Sequence, residues 1–147
     1  MAYWLFQGNP KYYRLLDGIQ DFEQMYWLVT LYANQMVPSD GVVIWLAGKQ
    51  AGIYATAEII ESPQILKNLP DADYWIDNSR AIGKLHCKIQ FTCKLLDSPL
   101  LKIKLLEDNV LKRLPVIRYP NRTNFKLTLE EWERVHELCR LTNYLSS

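Results

Sequence analysis

The sequence predicts an α+β fold: a small, mixed but mostly antiparallel β-barrel with helices at its periphery and a helix closing the chain. Three observations predict it. Two strand-like runs, residues 42–47 and 52–60, are joined by a short loop containing Gly48 and Gly52, so they can pair locally. Other strand-like runs crowd the chain without the alternating helices that parallel crossovers need. Thr128 and Glu131 have the spacing of a capping box, which opens a helix.

In chain order, residues 2–6 are short, aromatic and strand-like. Gly8-Asn9-Pro10 stops this run, because Pro has no N–H and biases Asn9 to an extended form. Pro10 suits the first position of a helix, and residues 11–16 supply one or two turns, closed by Asp17-Gly18. Residues 25–31 read as a second strand and 32–36 as a short helix. Pro38-Ser39-Asp40-Gly41 is a turn. In residues 52–60, Ile53, Ala55, Ala57 and Ile59 share one face, while Tyr54, Thr56 and Glu58 share the other. Residues 62–83 form a long polar excursion carrying Pro63, Pro70 and Tyr74-Trp75, and long loops in compact domains are often binding loops. Residues 85–95 are a strand with Cys87, Ile89, Phe91 and Cys93 pointing inward. Residues 99–113 hold one or two short helices, 116–119 a short strand and 120–124 a loop. Trp132, Val135 and Cys139 then mark a helical stripe running towards Tyr144.

At 147 residues the chain is read as one domain, 1–147. Hydrophobic residues at 49% and charged residues at 22% fit a soluble globular protein. No apolar run reaches the length of a membrane span, and the start of the chain lacks the features of a signal peptide. Three cysteines, an odd number, favour a reduced setting, and the expected location is the cytoplasm. The net charge of +1 hides an asymmetry: residues 84–126 carry 10 basic and 3 acidic side chains, while residues 1–83 carry 5 basic and 9 acidic. One reading is a positive face suited to polyanions. The other is scattered, solvated lysines that protect strand edges.

Catalytic and metal-binding patterns are not in view. Cys87 and Cys93 are six apart, and no C-x-x-C, G-x-S-x-G, P-loop or G-x-G-x-x-G occurs. Glu130 and Glu131 serve a helix start, where negative charge is favoured. The expectation is therefore a protein without catalytic residues, metal ligands or a cofactor. What stands out is the aromatic supply of 5 Trp, 9 Tyr and 4 Phe. Trp4 and Trp132 fit a core. Trp27 opens a strand end beside Thr30, Trp45 sits within the 42–47 run, and Trp75 lies in a polar excursion. Gln7, Asn9, Asn121 and Asn124 are amide-bearing loop residues placed to converge on one barrel mouth. Aromatic walls with amides suit a flat heterocycle, which is stacked on its faces and hydrogen-bonded on its edge.

Tyr3-Trp4-Leu5-Phe6, Val43-Ile44-Trp45-Leu46-Ala47-Gly48 with Gly52-Ile53-Tyr54-Ala55, Glu58-Ile59-Ile60-Glu61-Ser62-Pro63, and Thr123-Asn124-Phe125 leading to Leu129-Glu130-Glu131-Trp132 run from end to end of the chain. In this order they resemble the EVE domain, a member of the PUA-like superfamily that also contains the YTH and ASCH domains. The chain departs from the pattern at Asp40-Gly41, where many relatives carry Gly-Asp.

The resemblance implies a PUA-like β-barrel with a pocket for a modified nucleobase, methylated or hydroxymethylated cytosine in EVE-like domains and N6-methyladenine in YTH-like ones. By position it makes Trp27 and Trp75 pocket tryptophans, and Trp45 either a third wall or a core residue. It sets Asn121, Arg122 and Asn124 near the base edge or a phosphate. Arg122, Arg118, Lys112 and Arg113, from the basic stretch, are the candidate phosphate contacts. The implied partner is DNA or RNA carrying a modified base, with no membrane; a single compact domain leaves room for a separate effector protein. Two other readings stand beside this one. An ASCH-like hydrolase of modified pyrimidine nucleosides would use a Lys, Thr and Glu set, for which Lys49, Thr56 and Glu58 are available. A structural or assembly domain would use the aromatics as core alone.

Overall fold

A computed structural model describes residues 1–146, with side chains described through residue 141. Along the chain lie β1 (Tyr3–Gly8), α1 (Leu15–Asp21), β2 (Gln24–Leu28), β3 (Gly41–Leu46), β4 (Gly52–Leu66), β5 (Lys84–Lys94), β6 (Leu100–Leu101), α2 (Lys102–Leu105), α3 (Pro115–Arg118), β7 (Asn124–Leu127) and α4 (Leu129–Ser146). Single 3-10 turns occur at Ala33–Gln35, Ala72–Tyr74, Asn78–Arg80 and Leu111–Arg113. The seven strands form one mixed sheet in the order β2-β5-β4-β3-β1-β7, with β6 beside β4. The β1–β3 pair is parallel and every other pair is antiparallel. The fold is α+β as expected, with a loose barrel: β2 and β7 end the sheet and do not pair with each other.

Strand alternation divides the interior in two. Trp4 and Phe6 of β1, Ile44 of β3 and Ile89 of β5 fill the barrel. Leu5 of β1, Val43 and Trp45 of β3 and Phe125 of β7 face a second core, shared with Val135 and Cys139 of α4. Because both sheet faces are covered, β3 reads as an unbroken apolar run, VVIWL. A register shift between Ile44 and Trp45 pairs Trp45 with Ile53, and both enter the second core, so Ile53 does not share a face with Ala55. A similar shift at Thr56 and Ala57 turns Cys93 against the second core, away from Cys87 and Phe91.

Other expectations also need correction. The helix expected at 11–16 begins at Leu15, because the Asn9 carbonyl takes the Tyr12 and Tyr13 amides (3.0 and 3.1 Å) in a separate turn. Asp17-Gly18 lies inside that helix; a Cβ on Gly18 would press on the Tyr13 hydroxyl at 3.0 Å. Next, β4 continues past Ser62-Pro63 to Leu66. Pro63 is tolerated because β3 pairs only as far as Glu58 and the β5 pairing has a bulge between Glu61 and Gln64. Finally, residues 115–118 are helical and not a strand: Pro115 takes the first helical position, and the Tyr119 amide bonds its carbonyl at 2.9 Å. The strand falls instead at β7, paired with β1, and takes in Asn124 from the expected loop.

The capping box forms as read. Thr128 Oγ1 accepts the Glu131 amide at 3.1 Å, and Glu131 Oε1 accepts the Thr128 amide at 2.9 Å. Trp132 stacks on Tyr3 with centroids 4.9 Å apart. Tyr144, the end of the expected stripe, lies outside the described side chains. Among the described residues, no helix is long and apolar enough to cross a membrane.

Candidate functional site

The site lies at the seam where the barrel fails to close. Val29 donates to the Leu85 carbonyl (2.9 Å) and Phe91 to the Glu23 carbonyl (3.0 Å), so the odd-numbered residues of this stretch exchange bonds with β5. In an antiparallel pair the alternate residues then turn their peptide groups outward, here Tyr26 and Leu28 of β2 and Thr30 just beyond it. Asn124 meets two of them. Its Oδ1 accepts the Thr30 amide at 2.7 Å and the Leu31 amide at 3.3 Å, and its Nδ2 donates to the Leu28 carbonyl at 3.2 Å. At Tyr26, among the described residues, nothing takes up the N–H or C=O. There the seam opens into a cavity of about 240 Å³. Typical drug-sized ligand sites run from roughly 300 to 1,000 Å³, so this one suits a smaller ligand.

Trp27 forms one wall. It is 6% exposed and packs on Phe6 with ring centroids 5.9 Å apart and planes 27° apart. Gly8 permits this: a Cβ there would meet the Trp27 ring at 3.3 Å and the Leu15 side chain more closely still. Trp75 forms another wall, half-buried and set edge-to-face on Tyr13 at 4.8 Å. It is carried by the excursion, residues 67–83, which is strapped to the segment before α1. Arg14 donates to the Tyr74 carbonyl (2.8 Å) and Ile76 to the Tyr12 carbonyl (2.8 Å). Tyr13 donates its hydroxyl to Asp71 and Tyr74 donates to Asp21, each at 2.6 Å. Burial, then the Asp71 hydrogen bond and charge, push the Tyr13 phenol far above its ordinary value, so it remains a neutral donor. The hydrogen bond to Asp21, then burial, raises Tyr74.

The third side is the loop 120–123. Gln7 Nε2 donates to the Pro120 carbonyl (2.8 Å) and the Arg122 carbonyl (2.7 Å), and the Gln7 amide to the Thr123 carbonyl (2.8 Å). Among the described residues nothing donates to Gln7 Oε1, which leaves one acceptor for a ligand. At the rim the Arg80 guanidinium lies 3.9 Å above the Tyr12 ring, and Arg122 lies 4.8 Å from the Tyr119 ring. The lining carries two arginines and no carboxylate. The arrangement can stack a flat ring, hydrogen-bond its edge through main-chain groups, and attract an anion.

Of the residues singled out in the sequence, Gln7, Asn9, Trp27, Trp75, Asn121 and Arg122 come together around this cavity. Trp45 does not. It is 3% exposed and belongs to the second core, because its odd position on β3 faces away from the barrel interior. Asn124 is fully buried and its amide is spent on β2; Thr30 is held by it and lies outside the cavity lining. Arg118 is exposed at the end of α3, before the lining loop. Lys112 and Arg113 lie on the 3-10 turn packed against α4, whose Leu111 enters the second core, and neither lines the cavity. Elsewhere in the basic stretch, Lys88 pairs with Glu61 (3.3 Å) and Lys94 with Glu23 (3.2 Å).

Tyr12, Tyr13, Tyr26 and Arg80 were missed in the sequence. Two signals pointed to three of them: the Tyr12-Tyr13 pair, one residue beyond Gly8-Asn9-Pro10, and Arg80, a lone cation late in a polar excursion; nothing local singled out Tyr26. The set a hydrolase would need does not converge on the cavity. Lys49 and Glu58 are exposed, the Thr56 hydroxyl lies 2.8 Å from that of Thr92, and none of the three lines it. Among the described residues, no group of His, Cys, Asp or Glu is arranged to hold a metal ion.

Solved structures share this fold. A hypothetical protein from Leishmania major superposes with a TM-score of 0.73 at 15% identity, covering 97% of each chain. The human THYN1 protein, solved in complex with 5-methylcytosine containing DNA, gives 0.67 at 15% identity over 94% of this chain and 97% of its own. The YTH domain of the Zygosaccharomyces rouxii MRB1 protein, solved with N6-methyladenosine RNA, gives 0.58 at 10% identity over 93% and 85%. At such identities the likeness is one of fold. No curated protein sequence matches the chain. The EVE domain pattern matches residues 2–138, nearly the whole length, and with its loose PUA-like barrel the chain belongs to the EVE domain family.

Proposed function

We propose that the seam cavity takes a single nucleobase turned out of its strand, and that this protein is a reader of a modified base in nucleic acid. The observation that carries the reading is the cavity itself: Trp27 and Trp75 in its walls, the outward main-chain groups of Tyr26 at its edge, Arg80 and Arg122 at its rim, and no carboxylate in its lining. The nucleic acids bound by the human THYN1 protein and the Zygosaccharomyces rouxii YTH domain, which have the same fold, support it.

Energetics fit a reader of moderate selectivity. Turning a base out of a duplex costs a few kcal/mol. Stacking on aromatic side chains returns about 1–3 kcal/mol per base. An added methyl in an apolar pocket contributes about 1–3 kcal/mol, or roughly 10–200-fold. The Tyr26 N–H and C=O and Gln7 Oε1 hold the base edge, while Arg80 and Arg122 meet phosphate and make affinity salt-dependent. A separate effector protein then acts on the signal. The hydrolase reading lacks support in the placement of Lys49, Thr56 and Glu58, and the core-only reading leaves an arginine-rimmed aromatic cavity without a use.

The test is a binding panel of labelled DNA and RNA oligonucleotides, single-stranded and duplex, carrying 5-methylcytosine, 5-hydroxymethylcytosine, N6-methyladenine or no modification. One modified member is expected to bind about 10–200-fold more tightly than its unmodified counterpart. Equal, salt-dependent binding across the whole panel rejects the base cavity and leaves a generic basic surface.

A further inference from the structure

Beside the cavity lies a second, open groove of about 400 Å³, between the end of β2, the outer ends of β4 and β5, and the turn after Arg80. Leu28 and Arg80 line both recesses, so the two adjoin. We infer that this groove receives the nucleotide next to the one in the cavity, so that the natural ligand is a single strand with two adjacent unstacked nucleotides. The inference rests on the base-cavity reading above and extends it from a base to a strand.

Three features carry it. First, the groove offers apolar surface to the flat face of a base: Ile65 is 63% exposed, a large apolar side chain in solvent, and the half-buried Leu28 and Leu85 adjoin it. A base laid on these aliphatic groups buries apolar surface, a non-directional gain open to any base. Second, the charge is complementary to a nucleic-acid backbone. Lys84 lines the groove, Arg80 stands at the junction, and no carboxylate lines it. Among the described residues neither cation is in an ion pair. Arg80 is also held in place by the Tyr12 ring at 3.9 Å, where the phosphate joining the two nucleosides would run. Third, a second recess for a base has no use in a duplex with one base turned out, because the neighbouring bases stay stacked and paired. It has a use when both bases are already free.

The probes are a single-stranded pentamer with 5-methylcytosine or N6-methyladenine at its centre and thymines elsewhere, the same pentamer with abasic sites on both sides of the modified base, a duplex in which the pentamer is embedded between long G·C-rich arms, and the modified nucleoside 5′-monophosphate. The variants are Ile65→Asp and Lys84→Glu, both at exposed positions outside the first cavity. The pentamer is expected to bind at least tenfold more tightly than the abasic form and than the duplex, a size that burying the apolar face of one base supplies. Both variants should bring the intact pentamer down towards the abasic value and leave monophosphate binding unchanged. Equal binding of intact and abasic pentamers, with the monophosphate still bound, overturns the second site and leaves the base cavity standing. If neither the monophosphate nor any modified strand binds better than its unmodified counterpart, the base cavity fails and the groove proposal falls with it.

Discussion

Asn124 accepts the Thr30 amide at 2.7 Å across 94 positions of chain, and with its Nδ2 on the Leu28 carbonyl it joins β7 to the end of β2 where no strand pairing does so. One side chain thus closes one end of the seam, and the cavity occupies the part it leaves open. The residue that the family resemblance set near the base edge works one step back, fixing the gap into which a base would go.

Removing that amide should therefore cost stability. Asn124→Ala leaves the Leu28 carbonyl and the Thr30 and Leu31 amides without their partner in a partly buried place. A loss of about 2–4 kcal/mol is expected, since each stranded buried group costs about 1–3 kcal/mol. Urea unfolding checks it; a loss below about 1 kcal/mol would show that water replaces the amide freely.

Trp75 and Trp45 should respond in opposite ways. Trp75→Ala is expected to weaken binding of the modified strand by about 1–3 kcal/mol, roughly 5–150-fold, with a smaller effect on the urea midpoint. Trp45→Ala should lower stability by about 3–5 kcal/mol, as for a large aromatic removed from a core. Trp45→Phe, the gentler change, should leave affinity unaltered. A folded Trp45→Phe protein with tenfold weaker binding would contradict the separation of Trp45 from the cavity.

His86 sets a pH limit. It is buried on β5, its Nδ1 lies 3.0 Å from the Lys84 carbonyl, and its Nε2 has no partner among the described residues. Burial lowers its pKa, against smaller opposing effects of the Lys84 carbonyl and the Asp71 charge. The unfolded chain takes up this proton near pH 6.5, the folded protein only at lower pH. The unfolded state therefore binds more protons below about pH 6.5, and stability falls as pH drops through that region.

Asp108 acts in a different window. Burial works to raise it, but hydrogen bonds from Arg134 and from the Leu111 and Val110 amides outweigh that and lower it, so its contribution is lost only below about pH 4. Urea midpoints between pH 5 and 8 should show a slope in the wild type that His86→Gln flattens; equal slopes would remove His86 as the cause.

Salt dependence should separate the cations. Arg80→Ala and Arg122→Ala should each reduce the slope of log affinity against log salt by about 1. Lys112→Ala should leave it unchanged, because that side chain lies on the turn packed against α4 and outside the cavity lining. A fall in slope for Lys112→Ala would mean that the strand runs over the α4 side as well.

Much of the fold was legible because its signals are local. The β3–β4 hairpin declares itself through two strand-like runs and a glycine loop, and α4 through the Thr128–Glu131 box. Where a segment is only four residues long, local preference was not decisive. Residues 115–118 carry β-branched side chains and still form α3, because Pro115 opens a helical turn, while β7 owes its place to pairing with β1. Trp45 was ambiguous for a related reason: β3 is apolar on both faces, so its alternation carries no inside–outside signal.

By itself, then, the sequence determined the local elements, the family signature and the supply of aromatics and amides near a barrel mouth. The tertiary structure decided which of them meet. The cavity exists because β2 and β7 do not pair, and its walls come from segments as far apart as Gln7 and Pro120, joined across 113 positions. No local preference reports such a contact. Side chains like Asn124 and Gln7 are spent on holding the seam, and that frees Tyr26, Trp27 and Trp75 to line it, a division of labour set by where the strands stop pairing.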